Sequence, residues 1–251
     1  MTGRAKVKNT NPIENFDALW RVFNEKYAFF DVRGVDWNRQ RETYRPQVTD
    51  DTTPEQLFEI MTRMLGPLND GHVELKAGNL KKYFNSEVEP KFWQEFDDEQ
   101  IRALFSVTKS NLKAHGFSEL QPTQTHILQY AKSDDLAYLR IIELEGQRWK
   151  SFRSALADLE KDFGVLKGYI IDLRECPGGD DEVLLEILGR FTDRERVAFH
   201  RKEKLGIDDY SELGTWHLEP GGTAQFTGPV VLLTNDAVFS GGDCNGAVEC
   251  L

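Results

Sequence analysis

The sequence predicts an α/β protein in which a mainly parallel sheet, flanked by helices, follows a small helical subdomain. Two patterns indicate this fold. Beyond residue 135, short β-branched runs alternate with amphipathic helical segments, an order that gives parallel strands joined by right-handed crossovers. Before residue 76, apolar residues recur instead at the three- and four-residue spacing of helices. We therefore expect two parts with different architectures.

The first part, residues 1–75, is expected to be a helical subdomain. Apolar side chains form one helical stripe over residues 13–30, and a short second helix is expected over 36–45. After a third helix, the chain turns at Asn69-Asp70-Gly71 and enters a short strand.

The third helix has the most complete start signal in the chain. Thr53 is expected to be the N-cap, Pro54 occupies the first helical position, and Gln56 completes a capping box. Gly66-Pro67 then ends the helix.

Residues 76–135 are expected to connect the two parts. A helix is expected over 97–116, ending at its glycine. A hairpin follows, in which strands at 125–130 and 136–144 flank a polar turn at 132–135.

The α/β part, residues 136–251, repeats the strand-helix alternation. Its further expected elements are a helix at 151–163, a buried strand at 168–174, a helix at 181–191, strands at 196–201 and 230–234, and a helix from Ser240 onward.

Composition excludes several classes of function. The 251 residues carry a net charge of −11, which argues against binding to nucleic acid or to an anionic membrane, because both require basic patches. The sequence has neither a run of about 18 apolar residues nor an apolar stretch after the basic amino terminus, so no membrane span and no secretory signal are expected. Its three cysteines lack metal-site spacing, and we expect no metal or cofactor.

Two glycine-containing loops are expected at one edge of the sheet. One follows the strand at 168–173 and contains Gly178-Gly179, and the other follows the strand at 230–234 and contains Ser240-Gly241. Ligands bind at the carboxyl ends of parallel strands. If these strands are neighbours, the two loops face each other across a crevice.

Such a crevice would support acyl transfer. Ser240 would lie at a helix amino terminus, where unpaired main-chain N–H groups favour negative charge. The N–H of Gly241, with a second donor from Gly178 or Gly179, would form an oxyanion hole, because a residue without Cβ lets the backbone approach a substrate closely. One such donor contributes about 2.7–4 kcal/mol to the transition state.

The same residues also have a purely structural interpretation. Paired glycines after strands are common in turns, and a serine before a helix is first of all an N-cap. Ser240 does not stand in the G-x-S-x-G pattern of the α/β-hydrolases, because Val238 occupies the position two before it. The local sequence leaves both interpretations open.

Three separated stretches resemble the tail-specific (C-terminal processing) serine proteases and the tricorn-protease core. The segment from "FDALWRVFNEKYAFF" to "LNDGHVEL" is similar to their helical amino-terminal segment, and "GYIIDLRECPGG" to their strand-and-glycine motif. The stretch "GPVVLLTNDAVFSGGD" is similar to the strand that carries their nucleophile, with Ser240 in that position. The resemblance implies a crotonase/Clp-protease-like core and a serine endopeptidase that acts through an acyl-enzyme. It also implies oxyanion donors at Gly241 and at Gly178 or Gly179.

The resemblance also implies a general base. One branch uses a lysine at a position that would lie beyond Leu251, whereas the tricorn-like branch uses a histidine that corresponds to His72. Imidazole can accept the serine proton near neutral pH, although His72 alternatively only hydrogen-bonds its turn. Gly71 replaces a serine of that branch, and the supporting glutamate would lie beyond Leu251. We therefore expect a chain truncated at its carboxyl end that hydrolyses peptides poorly or not at all.

The expected partner is a peptide or protein substrate, and homo-oligomerisation is left open. Residues 76–125 are too few for the PDZ domain that such proteases often carry, and the resemblance suggests a periplasmic or extracellular location. The main alternative is a non-catalytic protein of the same fold that binds an apolar ligand or a peptide. A crotonase-type acyl-CoA enzyme would need a basic cluster for the phosphates, which the sequence lacks, and a purely structural module would leave the two glycine loops unexplained.

Overall fold

The computed structural model describes residues 11–122, 128–144, 153, 156–157, 160–161 and 164–240. The chain forms two compact units. The first comprises the residues up to Val88 together with Lys202–Leu213, and the second comprises Glu89–Arg201 and the residues from Gly214 onward. The expected domain boundaries at residues 75 and 135 refer to regions of the chain rather than to these units and stay a prediction.

The described residues of the first unit form four α-helices and one hairpin. The helices are α1 (Pro12–Lys26), α2 (Phe30–Arg33), α3 (Trp37–Tyr44) and α4 (Pro54–Leu65), and the strands are β1 (Glu74–Ala77) and β2 (Lys82–Asn85), paired antiparallel. The capping box predicted at Thr53 is present with both of its hydrogen bonds. The first predicted helix ends earlier than expected, because Tyr27 is extended and the chain resumes as α2.

The core of the first unit lies between the apolar faces of α1, α3 and α4. Phe16, Met64 and Leu65 are fully buried there. The indole N–H of Trp20 donates to the carbonyl of Trp37 at 3.1 Å, and Trp37 donates to the carbonyl of Trp20 at 3.0 Å. These reciprocal bonds join α1 to α3 and satisfy both indole donors inside an apolar core.

The segment Lys202–Leu213 belongs to the first unit although it is far from it in sequence. Lys204 Nζ donates to the carbonyl of Tyr27 at 3.1 Å and lies 5.4 Å from the centre of the Phe30 ring. In the opposite direction, Lys26 Nζ donates to the carbonyl of Leu205 at 2.8 Å. Two lysines therefore hold this segment against α1 and α2.

The second unit contains a five-stranded mixed sheet. The helices given in full by the described residues of this unit are α5 (Lys91–Glu95), α6 (Asp98–Ala114) and α7 (Asp181–Leu188). The strands there are β3 (Gln121–Pro122), β4 (Leu128–Lys132), β5 (Leu136–Ile141), β6 (Gly168–Asp172), β7 (Arg196–Arg201), β8 (Gly214–Leu218) and β9 (Val230–Leu233). The strand order is β3-β4-β5-β6-β9; β5, β6 and β9 are parallel, whereas β3 and β4 add antiparallel pairs. The α/β fold class is confirmed, with a sheet that is less parallel than expected because the hairpin belongs to it.

The predicted strand at 196–201 pairs outside the main sheet. It forms β7, whose antiparallel partner β8 lies in a region that the sequence left as a polar excursion. The rings of Phe199 and Trp216 stack across this pair at 5.5 Å, and the Arg201 guanidinium covers the Trp216 ring at 4.9 Å.

Two predicted helices lie partly or wholly outside the described residues. Within 151–163, the structure describes Arg153, Leu156, Ala157, Glu160 and Lys161, and the helix expected after Ser240 is not described. In the part of the chain that is described, no helix combines the length and the apolar character needed to cross a membrane.

Candidate active site

The two glycine-containing loops leave neighbouring parallel strands. In the register of β6 and β9, Asp172 is opposite Leu233, and the N–H of Leu173 donates to the carbonyl of Leu233 at 2.9 Å. The condition set by the sequence is therefore met, since both loops begin at the carboxyl ends of adjacent strands.

A main-chain hydrogen bond joins the two loops. The N–H of Phe239 donates to the carbonyl of Cys176 at 3.4 Å. Cys176 is fully buried, and its sulfur accepts a hydrogen bond from the N–H of Gly178. Burial raises the pKa of the Cys176 thiol above its ordinary value, so this cysteine is a packing residue and not a reactive thiol.

The backbone conformation of this turn requires glycine at both positions. Gly178 and Gly179 have φ angles of +94° and +141°, which side chains other than glycine rarely adopt. Leu144 pairs with this turn: its N–H donates to the carbonyl of Gly178 at 3.0 Å, and its carbonyl accepts from the N–H of Asp180 at 2.7 Å. A Cβ on Gly179 would lie 2.1 Å from the Leu144 carbonyl oxygen.

The two candidate oxyanion donors in this turn differ. The Gly178 N–H is directed to the Cys176 sulfur. The Gly179 N–H has no hydrogen-bond acceptor among the described residues. Gly241, the other predicted donor, lies outside the described residues.

Ser240 is exposed and has an unusual backbone conformation. Its φ angle is +54°, in the left-handed region that costs about 1–2 kcal/mol for a residue with a Cβ. Such strain is typical of functional turns, where the surrounding structure imposes it. Ser240 lies in the loop that follows β9, seven residues after Leu233, where that strand ends.

An ionic cluster at the end of β6 stabilises the start of the loop that contains Gly178 and Gly179. Buried Asp172 accepts the hydroxyl of Tyr138 and three donors of Arg174, namely the main-chain N–H, Nε and Nη2, at 3.1, 2.9 and 2.7 Å. Burial acts to raise the pKa of Asp172, but the donors outweigh it and hold that pKa below the ordinary value. The ionised carboxylate therefore fixes the first residues of the loop.

A second carboxylate anchors the Ser240 loop. Asp236 Oδ2 accepts the N–H of Lys91 at 2.7 Å, and its Oδ1 accepts the N–H of Phe92 at 3.2 Å. Asp236 thus caps the amino terminus of α5, whose own N-cap residue, Pro90, contributes no side-chain bond. Sequence analysis missed this contact, because the partners are about 145 positions apart.

His72 lies in the first unit, at the turn before β1. Its main-chain N–H donates to Asp70 Oδ1 at 2.9 Å, and its ring Nδ1 lies 3.2 Å from the same oxygen. The His72 side chain is 60% exposed, whereas that of Asp70 is 6% exposed. Sequence analysis selected His72 but missed Asp70, although the Asp-x-His spacing was the available signal.

The described residues include no group of three or more His, Cys, Asp or Glu side chains arranged to hold a metal ion.

Comparison with known proteins identifies two family models along the chain. Residues 9–66 match the tricorn protease C1 domain, and residues 135–245 match peptidase family S41. The second match contains both glycine loops and Ser240.

A relative with a similar sequence matches over a limited stretch of the chain. A carboxy-terminal-processing protease of Bartonella bacilliformis is 27% identical over 79 residues, which are 31% of this chain and 18% of that protein. The chain therefore matches less than a fifth of the length of this relative.

Solved structures share the fold over nearly the whole chain. A candidate peptidase from Parabacteroides merdae is 23% identical with a TM-score of 0.76, covering 97% of this chain and 73% of its own. The photosystem II D1 C-terminal processing protease is 14% identical with a TM-score of 0.52, covering 96% and 79%. Mature CPAF in complex with lactacystin is 11% identical with a TM-score of 0.59, covering 93% and 81%. At these identities the likeness shows the fold, a helical amino-terminal region followed by a central mixed sheet.

Proposed function

We propose that this chain, which belongs to the tail-specific, tricorn-like S41 protease family, carries the nucleophile and oxyanion hole of a serine endopeptidase. Ser240 is the proposed nucleophile, His72 the general base, and the main-chain N–H groups of Gly241 and Gly179 the oxyanion donors. The observation that carries the proposal is the hydrogen bond from Phe239 to Cys176, because it joins the residue before Ser240 to the turn that contains Gly179.

The proposed reaction passes through an acyl-enzyme. Ser240 Oγ attacks the carbonyl carbon of the substrate while His72 accepts the hydroxyl proton. The carbonyl oxygen becomes an oxyanion, which the two amides stabilise. When the intermediate collapses, the C–N bond breaks and the amine leaves with the proton from the imidazolium. Water then hydrolyses the ester and restores the Ser240 hydroxyl.

Of the two predicted donors in the glycine turn, Gly179 is the better supported. The Gly178 N–H already has an acceptor in the Cys176 sulfur. The Gly179 N–H has no acceptor among the described residues. Gly179 is opposite Leu144, but the two hydrogen bonds of this pairing are made by its neighbours in the chain, Gly178 and Asp180. Pairing through Gly178 and Asp180 directs the amide of Gly179 away from Leu144.

The strained conformation of Ser240 supports its role as nucleophile more than its role as a cap. An N-cap residue typically has extended backbone angles, as Thr53 has before α4. Ser240 instead has φ +54° and an exposed side chain.

The first experiment asks whether Ser240 is activated. A fluorophosphonate probe should label the intact chain at Ser240, and Ser240→Ala should abolish the label. Ser110→Ala removes an exposed serine from α6 and should label like the parent chain. The proposal is wrong if the probe reacts elsewhere, if it does not react at all, or if Ser240→Ala still hydrolyses peptides.

The second experiment tests the endopeptidase assignment. Hydrolysis by this chain is expected to be poor, and any cleavage of a peptide library blocked at both termini should be internal and should disappear in Ser240→Ala. Cleavage confined to peptides with a free terminus would instead identify an exopeptidase.

A further inference from the structure

The turn that carries His72 contains a buried carboxylate, Asp70, whose two oxygens have different partners. Oδ1 accepts the main-chain N–H of His72 at 2.9 Å and lies 3.2 Å from the His72 Nδ1. Oδ2 accepts the hydroxyl of Tyr27 at 2.8 Å. The carboxylate is therefore shared between a core tyrosine and an exposed imidazole.

The position of Asp70 is fixed through its main chain as well. Its N–H donates to Ser86 Oγ at 3.1 Å, and the Ser86 hydroxyl donates to the Asp70 carbonyl at 2.9 Å. The neighbouring carbonyl of Gly71 accepts from Asn85 Nδ2 at 2.9 Å. Because two residues from the β2 end hold the turn, the Asp70 carboxylate is preorganised before any substrate binds.

The carboxylate is in its ionised form. Burial acts to raise the pKa of Asp70, but the hydrogen bonds from His72 and Tyr27 together hold it below the ordinary value. An ionised carboxylate only accepts hydrogen bonds. Nδ1 of His72 must therefore be the protonated ring nitrogen, which leaves the lone pair on Nε2.

We infer that Asp70 is the positioning residue for His72, selecting the Nδ1–H tautomer and stabilising the imidazolium that forms when Nε2 accepts a proton. The inference rests on the proposed function, in which His72 is the general base. A carboxylate two residues before the histidine would then perform locally the task that the resemblance assigns to a glutamate far along the chain.

Tyr27 is expected to act through Asp70 and not on His72 directly. Its hydroxyl satisfies Oδ2, the oxygen that does not contact the imidazole. Tyr27→Phe should therefore leave the His72 tautomer unchanged and have a smaller effect on reactivity than any change of Asp70.

The tautomer is measured by ¹⁵N NMR on the intact chain labelled at histidine, with His72→Gln to assign the signals. The parent should show His72 protonated on Nδ1, and Asp70→Ala should convert it toward the Nε2–H form. The matched control is Glu195→Gln, which removes the carboxylate bound to Nδ1 of exposed His217 and should leave the His72 signals unchanged. An unchanged His72 tautomer in Asp70→Ala would overturn the inference.

Asp70→Asn separates orientation from charge. The His72 main-chain N–H needs an acceptor, so the amide oxygen of the new side chain should face His72 and its NH₂ group should face the Tyr27 oxygen. The Nδ1–H tautomer should survive, while the stabilisation of the imidazolium is lost. If Asp70→Ala does not fold, as judged by circular dichroism, retention of the tautomer in Asp70→Asn with slower labelling supports the inference. Labelling at the parental rate by a folded Asp70→Asn overturns it.

Reactivity is measured as the second-order rate constant for fluorophosphonate labelling of Ser240. We expect a loss of about 10- to 100-fold in Asp70→Asn and of about 100- to 10,000-fold in Asp70→Ala, the upper limit being the effect of a histidine in the wrong tautomer in a serine triad. A merely structural Asp70 would lower the unfolding midpoint without changing either the tautomer or the labelling rate of the folded protein.

The two measurements separate failure of the inference from failure of the proposed function. If Ser240 is not labelled, or if His72→Gln labels at the parental rate, the proposed function fails, whereas the NMR arm still decides whether Asp70 sets the tautomer. If His72→Gln abolishes labelling and folded Asp70→Ala labels at the parental rate, the proposed function stands and the positioning role of Asp70 is wrong.

Discussion

The main-chain N–H of Phe239 donates to the carbonyl oxygen of Cys176 at 3.4 Å. These residues are more than 60 positions apart, and each lies in a loop that follows one of two adjacent parallel strands. The bond brings the residue before Ser240 next to the glycine turn. Since Cys176 is fully buried, its carbonyl gives the Ser240 loop an anchor that solvent does not reach.

Cys176 should be chemically inert in the folded protein. Its side chain is buried and its thiol pKa is raised by burial, so the reactive thiolate is scarce and inaccessible. Iodoacetamide, followed by peptide mass spectrometry, should modify Cys176 only when urea unfolds the chain. Modification of the native protein at the rate of a free thiol would contradict the assignment of this residue to the core.

Gly179→Ala should strongly destabilise the second unit. The new Cβ would lie 2.1 Å from the Leu144 carbonyl oxygen, and φ would have to stay near +141°. Backbone strain and overpacking together predict a loss of about 2–5 kcal/mol in urea unfolding. The control is Gly164→Ala, where a Cβ meets no atom within 4 Å, and a change there should stay within about 0.5 kcal/mol. Equal stability of the two variants would show that the turn can relax.

Asp236→Ala should affect both stability and the reactivity of Ser240. It removes the cap of α5, for which we expect a loss of about 0.5–2 kcal/mol, and it releases the loop that presents Ser240. The matched control is Asp97→Ala, which breaks the capping box of α6 with a similar loss of stability. Fluorophosphonate labelling should slow in the first variant only, and equal labelling rates would remove Asp236 from the positioning of Ser240.

Asp172→Asn should make the protein less sensitive to acid. The pKa of Asp172 is lower in the folded state than its ordinary value of 3.8. The carboxylate therefore contributes stability above pH 3.8, and this contribution is lost as the pH falls through the lower folded-state pKa. At pH 7 the substitution should lower the free energy of unfolding by about 1–3 kcal/mol. We expect a value near the lower end of this range, because Arg174 is one-third exposed and solvent screens the ion pair.

The measurement for Asp172 is urea unfolding of the parent and the variant between pH 7 and pH 3. The difference between their free energies of unfolding should shrink as the pH approaches 3. A difference that is the same at every pH would show that the side chain acts through packing and not through its charge.

Features set by neighbouring residues were predictable from the sequence. The capping box at Thr53 depends on residues within one helical turn, and the β4–β5 hairpin depends on one polar turn. The facing arrangement of the two loops depended on one assumption, that the short apolar runs preceding Gly178-Gly179 and Ser240 form neighbouring strands. The pairing of β6 with β9 confirms it.

Features that depend on distant partners were not predictable. Asp236 has no local partner that would mark it as a helix cap, because the helix that it caps, α5, lies about 145 positions earlier in the chain. Strand β8 contains Gly214, Trp216 and His217 in a polar context, and only its pairing with β7 makes it a strand. The sequence indicates only that Asp70 lies in a turn. Its burial depends on contacts with Tyr27 and Ser86, which are distant from it in sequence.

The return of Lys202–Leu213 to the first unit limits how the protein can be dissected. A truncation after Val88 would discard the carbonyl that Lys26 reaches and the lysine that reaches Tyr27. A shortened version of the first unit would need residues 202–213 grafted back through a designed linker. Conversely, the second unit taken alone would require a new connection between β7 and β8 in place of that segment.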